Sequence, residues 1–408
     1  MRLKDGGRPA EPGMMARFAR RSLLVLSVLV AVLVPAQSAL AYSDVPTGYW
    51  DYAAIKYVAI DRTWMKDFTD GTFRPRTAES RQFLARTLVT IYAPTQSADT
   101  ALTFPDLPQS SPFFKYASIA VKNGWMTTGP GPDFNPTGPV HVAPFDKALV
   151  LAMGLSAEVN GLANIHEAGG YHYSLPATFP YLQLAHFLGL HFNHPSTQES
   201  MDLEPTDVMP RDEVAYSLAT AAQLPSWELT AADAFSSITL NTHDPSIPNQ
   251  ASKRAVTAFA LKYVGYPYIW GGEWYQKSPP GYCCGAQVKG GFDCSGFAWW
   301  VMQKAGEEGF NNESIRGYAG WAIPQRTSYD MAHATTTKIA FANLETGDLM
   351  LFADDGGTTW QDADHVGIYL GNGWMIHSTG STDGVAIESV TSGWWHDHFL
   401  WGRRLIPS

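Results

Sequence analysis

Gly291-Phe292-Asp293-Cys294-Ser295-Gly296-Phe297-Ala298-Trp299-Trp300 sets a glycine turn and an acidic residue in front of a cysteine and then runs into apolar residues. The pattern predicts that Cys294 opens a buried helix. A thiol at a helix start faces the positive end of the helix dipole, which favours the thiolate, the form that attacks carbonyl carbon. A free cysteine is also a common core residue, and in that case Asp293 is only a helix cap. The sequence on either side decides between nucleophile and core thiol.

Upstream, Ala255, Val256, Phe259, Ala260, Tyr263 and Val264 recur at helical spacing and Gly265 closes the helix. An extended segment, Tyr266 to Trp270, ends on the paired Gly271-Gly272. Downstream of the cysteine helix, residues 306–345 read mainly as loop. Gly347-Asp348-Leu349-Met350-Leu351-Phe352 is then a short apolar strand after a turn. His365-Val366-Gly367-Ile368-Tyr369-Leu370 is a second strand, Gly371-Asn372-Gly373 a hairpin turn, and Trp374-Met375-Ile376-His377-Ser378 the returning strand. A hairpin brings His365 and His377 within one site. A thiol nucleophile needs an imidazole to take its proton and later protonate the leaving amine, and that imidazole needs a polar group to fix its tautomer. Cys294, His365 and His377 supply the three.

The ordered series Pro267-Tyr268-Ile269-Trp270-Gly271-Gly272, Phe292-Asp293-Cys294-Ser295-Gly296-Phe297, Gly347-Asp348-Leu349, His365 to Gly371, Met375-Ile376-His377 and Gly402-Arg403-Arg404-Leu405 makes residues 251–408 resemble the NlpC-type papain-like cysteine peptidases that cut bacterial peptidoglycan peptides. The resemblance implies an α+β fold with Cys294 as nucleophile, His365 as general base and acid, and His377 as the orienting group. It further implies that Asp293 and Ser295 hold the free amine of an N-terminal L-alanine and that Tyr268 lines the site near the oxyanion. The implied reaction is hydrolysis of the amide between γ-D-glutamate and the diamino acid of the stem peptide. The loop from Glu273 to Gly290 is longer than the family's usual link and is expected either to wall the substrate cleft or to be a surface excursion. It carries Cys283 and Cys284, which either pair with each other and leave Cys294 free, or supply one partner that silences it.

The first half of the chain repeats. Ser43-Asp44-Val45, a helical pattern through Ala54, Ile55 and Val58, Trp64-Met65 and Asp70-Gly71-Thr72-Phe73-Arg74-Pro75 lead into a second helical pattern carrying Phe83, Leu84, Thr87, Leu88 and Ile91. The order returns with Asp106, Trp125 and Asp133-Phe134-Asn135-Pro136, Trp125 lying 61 residues after Trp64. A weaker third copy runs through Leu184 to Leu190, Leu203-Glu204-Pro205 and Arg211-Asp212-Glu213. Units of this length cannot bury an apolar face alone and must pack on one another. They resemble S-layer homology modules, at about 42–95, 102–155 and 170–225. That resemblance implies a pseudo-threefold cluster binding secondary cell-wall polysaccharide through Arg81 and Arg211, while the second copy, with His141-Val142-Ala143-Pro144, has lost the arginine. Residues 226–250, with Pro245, Pro248 and many small polar residues, are expected to be a linker without a continuous core element.

With 408 residues, 45% hydrophobic and 16% charged, the chain is globular and long enough for two or three domains. Its net charge of −10, without a Lys/Arg stripe, excludes nucleic acid as an expected partner. Arg17, Arg20 and Arg21 precede the apolar run Leu23–Val34, and Ala39-Leu40-Ala41 supplies a small-x-small cleavage site, so residues 1–41 read as a signal peptide cut before Tyr42. No stable membrane span is expected after cleavage. The adjacent Cys283-Cys284 lacks the spacing of a zinc site, and no metal or organic cofactor is expected. The expected whole is a secreted, wall-associated α+β peptidoglycan endopeptidase behind mainly α-helical repeats. The alternatives are a wall-binding protein with an inactive papain-like domain and a thiol amidase or acyltransferase.

Overall fold

The computed structural model describes residues 42–240, 250–280, 286–304 and 323–406. The expected signal peptide, Cys283 and Cys284, and residues 241–249 of the expected linker lie outside the described residues. Among the described residues no helix is long and apolar enough to cross a membrane.

Each of the three copies folds as a helix pair. The first has the helix Tyr52–Ile55, continued as a π-turn over Lys56–Asp61, and the helix Arg81–Tyr92. The second has Phe114–Lys122 and Val142–Ala152, and the third Phe179–Phe187 and Arg211–Ala221. Before each of the first two second helices, a carboxylate holds the turn: Asp44 accepts from the N–H groups of Phe73 and Arg74 at 2.9 and 2.7 Å, and Asp106 from Phe134 and Asn135 at 2.8 and 2.6 Å. These bonds steady a backbone that turns left-handed at Arg74 (φ 61°) and Asn135 (φ 56°), a conformation disfavoured for non-glycine residues.

The copies close on one another through a triangle of backbone hydrogen bonds. Glu79 N donates to Met209 O at 2.9 Å, Met209 N to Val140 O at 2.8 Å, and Val140 N to Glu79 O at 2.9 Å. Arg211 is buried, at 1% exposure, donates to the Phe73 carbonyl at 2.9 Å and to the Glu79 carboxylate at 2.7 Å, and forms an ion pair with Asp67 at 2.6 Å. It is an internal strut between third and first copies. Arg81, half-buried, makes the equivalent bond to the Phe134 carbonyl at 2.8 Å and another to Thr127 O at 2.5 Å.

Residues 226–240 depart from the linker expectation. They form the helix Ser226–Ala232, the 3₁₀ turn Asp233–Ser237 and a strand, β2 (Thr239–Leu240), that pairs in parallel with β1 (His166–Glu167). Phe235 and Leu240 are fully buried, and the Phe235 ring stacks on Trp374 with centroids 5.2 Å apart. Composition alone missed these apolar anchors.

Residues 42–406 belong to one compact unit. The helix Gln250–Leu261 leads to β3 (Glu273–Trp274), β4 (Ser278–Pro280), β5 (Ala286–Gln287) and β6 (Gly291–Phe292), and then to the helix Cys294–Lys304. The loop expected over 306–345 contains the short helix Ser328–His333. An antiparallel sheet follows, built from β7 (Leu349–Phe352), β8 (His365–Gly371), β9 (Trp374–Thr379), β10 (Gly384–Ser389) and β11 (Phe399–Arg403) in the order β10-β9-β8-β7-β11. The β8–β9 turn has positive φ at Asn372 (50°) and Gly373 (78°), as a tight hairpin demands. Leu351, Val366, Ile368 and Ile376 join the main core with Phe297 and Val301 of the cysteine helix, while Met350, Phe352 and Met375 form a smaller core with Trp395.

The third copy caps this sheet. The Gln183 amide donates to Ile387 O and accepts from Ile387 N, both at 2.8 Å, so one side chain pairs the outer strand as a neighbouring strand would. Glu199 accepts from Trp270 N and Glu204 from Gly290 N, each at 2.9 Å, and Asp207 pairs with Lys289. The repeats therefore grip the segments that flank the cysteine turn.

Candidate active site

Cys294 is the first residue of its helix, 8% exposed, and its thiol is free. Two backbone contacts fix the turn before it. Asp293 N donates to Gly272 O at 2.9 Å, and Ser378 Oγ, next to His377, donates to Phe292 O at 2.6 Å. The hairpin is thus bonded directly to the cysteine turn. The sulfur donates to Asp364 O at 3.8 Å and receives a backbone hydrogen bond from Val366, so it lies against the strand start on both sides of His365.

His365 Nε2 and His377 Nδ1 are 2.8 Å apart. Gly367, opposite His377, leaves room for the pair: a Cβ there would stand 2.2 Å from Met375 Sδ and 3.2 Å from His377 Cβ. The other nitrogen of His377, Nε2, is 3.7 Å from a carboxylate oxygen of Glu388, and Trp395 Nε1 donates to the same oxygen. A carboxylate on that side favours the proton on His377 Nε2. His377 Nδ1 then accepts, His365 Nε2 donates, and His365 Nδ1 is left with the lone pair a base needs. Glu388 and Trp395 were not singled out in the sequence, because neither sits in a motif and β10 carries no chemical signature.

Burial pushes the Cys294 thiol up to about 12, with Asp293 adding to the effect and Val366 N–H and Arg326 opposing it. Burial also lowers His365 to about 3, Asp354 working weakly the other way, and holds His377 well below its usual range, with His365 adding to the effect. Both directions favour the uncharged forms, a thiol and an imidazole, in the enclosed site.

Asp293 and Ser295 are occupied. Arg326, 6% exposed, donates through Nη1 to Asp293 Oδ1 at 3.1 Å and Ser295 Oγ at 2.9 Å, and through Nη2 to Asp293 Oδ2 and the carbonyls of Gly271 and Gly272, each at 3.1 Å. Its Nε bonds Glu273 at 2.7 Å. Asp293 and Ser295, expected to hold a substrate amine, are both bonded to this guanidinium. Tyr268 is half-buried and bridges Phe292 in parallel, beside the cysteine turn. Arg81 and Arg211 lie in the repeats, apart from this cluster, and Arg211 is enclosed.

The NlpC/P60 family model matches residues 265–404. Over 142 residues, 35% of this chain, the sequence is 37% identical to the bifunctional muramidase/DL-endopeptidase CwlT of Bacillus subtilis, covering 33% of that protein. Over 147 residues, 36% of this chain, it is 32% identical to the murein DD-endopeptidase MepH of Escherichia coli, covering 43% of it. The chain thus spans a third of the first relative's length and under half of the second's. Among solved structures, the peptidoglycan hydrolase RipB of Mycobacterium tuberculosis is 27% identical over 42% of this chain and 75% of that one, with a TM-score of 0.29.

Proposed function

We propose that this protein is an exported cysteine endopeptidase that cuts peptidoglycan stem peptides, at the amide between γ-D-glutamate and the diamino acid, and that the three-copy region attaches it to the cell wall. The observation that carries the reading is the free thiol at a helix start, bonded to the strand of a histidine whose Nε2 is held by a second histidine. The match of residues 265–404 to the NlpC/P60 family, and the endopeptidase names of the relatives matched over that segment, support it.

In this mechanism Cys294 Sγ attacks the scissile carbonyl carbon as His365 Nδ1 takes the thiol proton. His377, bonded to His365 through Nδ1, keeps His365 in the basic tautomer and stabilises the imidazolium that forms. The carbonyl oxygen gains the negative charge. Collapse of the tetrahedral intermediate breaks the C–N bond, and His365 returns its proton to the departing amine. Water, deprotonated by His365, then attacks the thioester and releases the carboxylate product and the thiol.

Wall attachment rests on the closed three-copy cluster, with Arg81, half-buried, as the more accessible of the two expected arginines. The leader-like sequence before Tyr42 supports export. Mass spectrometry of sacculi digested by the wild type and by Cys294→Ala tests the reaction. Fragments ending in D-glutamate, absent with the variant, are expected. Equal release by the variant refutes the mechanism, and a cut at the muramyl lactyl amide would instead identify an amidase. Sedimentation of the full chain with purified sacculi tests attachment, and recovery of Arg81→Ala equal to wild type removes Arg81 from it.

A further inference from the structure

The third copy touches both halves of the cysteine–histidine site. Its helix Phe179–Phe187 holds the histidine half: Gln183 pairs with the backbone of Ile387 in β10, and His186 Nδ1 bonds the Thr382 carbonyl at 2.9 Å, in the turn between β9 and β10. Ala386 stands opposite His377 in the register of those strands, so Gln183 grips the residue next to the histidine's partner. Residues 194–207 of the same copy form an arm that reaches the cysteine half. Asp202, buried, accepts from His194 N and pairs with His194 Nδ1, each at 2.9 Å, which closes the arm on itself. From this arm two carboxylates reach backbone donors at the two ends of the β3–β6 ribbon. Glu199 Oε1 accepts from Trp270 N and Glu204 Oε1 from Gly290 N, each at 2.9 Å. Such bonds are charge-assisted and stronger than those between neutral groups.

Both donors lie where a displacement passes directly to Cys294. Trp270 sits among the backbone bonds that set the turn: Phe292 N donates to Pro267 O at 3.1 Å, Ile269 N to Phe292 O at 3.3 Å and Asp293 N to Gly272 O at 2.9 Å. Gly290 has no slack, since a Cβ there would lie 2.3 Å from the Tyr275 carbonyl, and one at Gly291 would lie 2.6 Å from Pro267 O. On its other side the turn meets the hairpin through Ser378 Oγ and the Cys294 sulfur.

We infer that Glu199 and Glu204 are positioning residues of the peptidase: through Trp270 N and Gly290 N they set the cysteine turn against the His365–His377 hairpin, which the same copy holds at β10. This rests on the endopeptidase reading above, and it makes the third copy part of the catalytic scaffold. A misplacement of about 1 Å at reacting atoms costs roughly a hundredfold in rate, even when the displaced contact is remote from the chemistry.

The test uses the full chain carrying Glu199→Ala, Glu204→Ala or both, and the pair Glu199→Gln with Glu204→Gln, whose amide oxygens still accept. Two readings are taken on protein shown by thermal melting to be folded. One is kcat and KM on a defined stem tetrapeptide, per folded molecule; the other is the rate of Cys294 alkylation by iodoacetamide, which needs no substrate. The double Ala variant is expected to lose about tenfold or more in kcat with KM within about twofold, the pattern of lost transition-state alignment. Its Cys294 should be alkylated at least about threefold faster, because the released turn frees the sulfur from the start of β8. The double Gln variant should stay within about threefold of wild type in kcat and in alkylation. If the double Ala variant does not fold, the single Ala variants carry the same comparison. A lower Tm with unchanged kcat per folded molecule would mark a merely structural role and overturn the inference. So would a raised KM at unchanged kcat, or wild-type alkylation in the folded Ala variant. Absence of cleavage by the wild type counts against the proposed reaction, and the alkylation rates then still decide the positioning.

Discussion

Alkylation of Cys294 by iodoacetamide should be slow at neutral pH and should accelerate steadily with alkalinity. The thiol stands at about 12 against an ordinary value of 9.0, three units higher. That lowers the thiolate fraction at pH 7 about a thousandfold relative to a simple thiol. A more basic thiolate is more nucleophilic, and a Brønsted slope of about 0.4–0.5 restores roughly 15- to 30-fold over three units. The net expectation is a rate roughly 30- to 60-fold below that of a small reference thiol, and burial of the sulfur slows it further. His365, at about 3, supplies no imidazolium between pH 4 and 7 to hold a thiolate. The rate should climb about tenfold per unit from pH 6 to 10. The assay follows mass gain of the Cys294 peptide, which separates it from Cys283 and Cys284. A rate that stays flat from pH 4 to 7 would refute the neutral resting pair, because it requires a thiolate–imidazolium pair already formed.

Gln183→Leu should lower stability by about 2–6 kcal/mol, since it leaves both backbone groups of Ile387 buried and unbonded at about 1–3 kcal/mol each; an unchanged urea midpoint would sink that estimate. Gly296→Ala should destabilise by about 1–3 kcal/mol or more through the clash with the Gly272 carbonyl, and muropeptide release should fall with it; a variant with wild-type melting and release would contradict the close approach. Burial, with Asp212 adding, raises Asp51 to about 9, so the folded protein keeps a proton that the unfolded chain loses above 3.8. Stability then falls as pH rises through that window, by at most about 1.4 kcal/mol per unit. Asp51→Asn should therefore raise Tm at pH 8 and change it little at pH 4, and equal shifts at both pH values would show that protonation is not the cause.

The parts legible in the sequence were those that local pattern encodes. Cys294 at a helix start, the two-histidine hairpin and the helix pairs of the first half all follow from spacing along the chain. Arg326 did not, because it lies 33 residues beyond Asp293 and 53 beyond Glu273, and only the folded chain brings the three together. Its flanking residues, Pro324-Gln325 and Thr327-Ser328, carry no signal of burial. Residues 226–240 misled for the opposite reason. Their small polar residues resemble a linker, but burial of Phe235 and Leu240 outweighs them. Arg211 shows a third limit: the sequence marks its position in the copy and cannot say whether its charge faces solvent or Asp67 and Glu79.

The hydrogen-bond triangle through Glu79, Val140 and Met209 has no loose end. In an open stack of repeats, the last unit leaves a face on which another can be added, so copy number drifts easily by duplication. Here the backbone bonds run from the first copy to the third, from the third to the second and from the second back to the first. A fourth would find no backbone group of this set unbonded, and loss of one would leave groups of the other two without partners. Copy number is therefore fixed by geometry, and variation is confined to single residues within the set. Val142, standing where the other two copies carry Arg81 and Arg211, is one such change: the ring tolerates it because the closing bonds run through backbone atoms and ask nothing of the side chain.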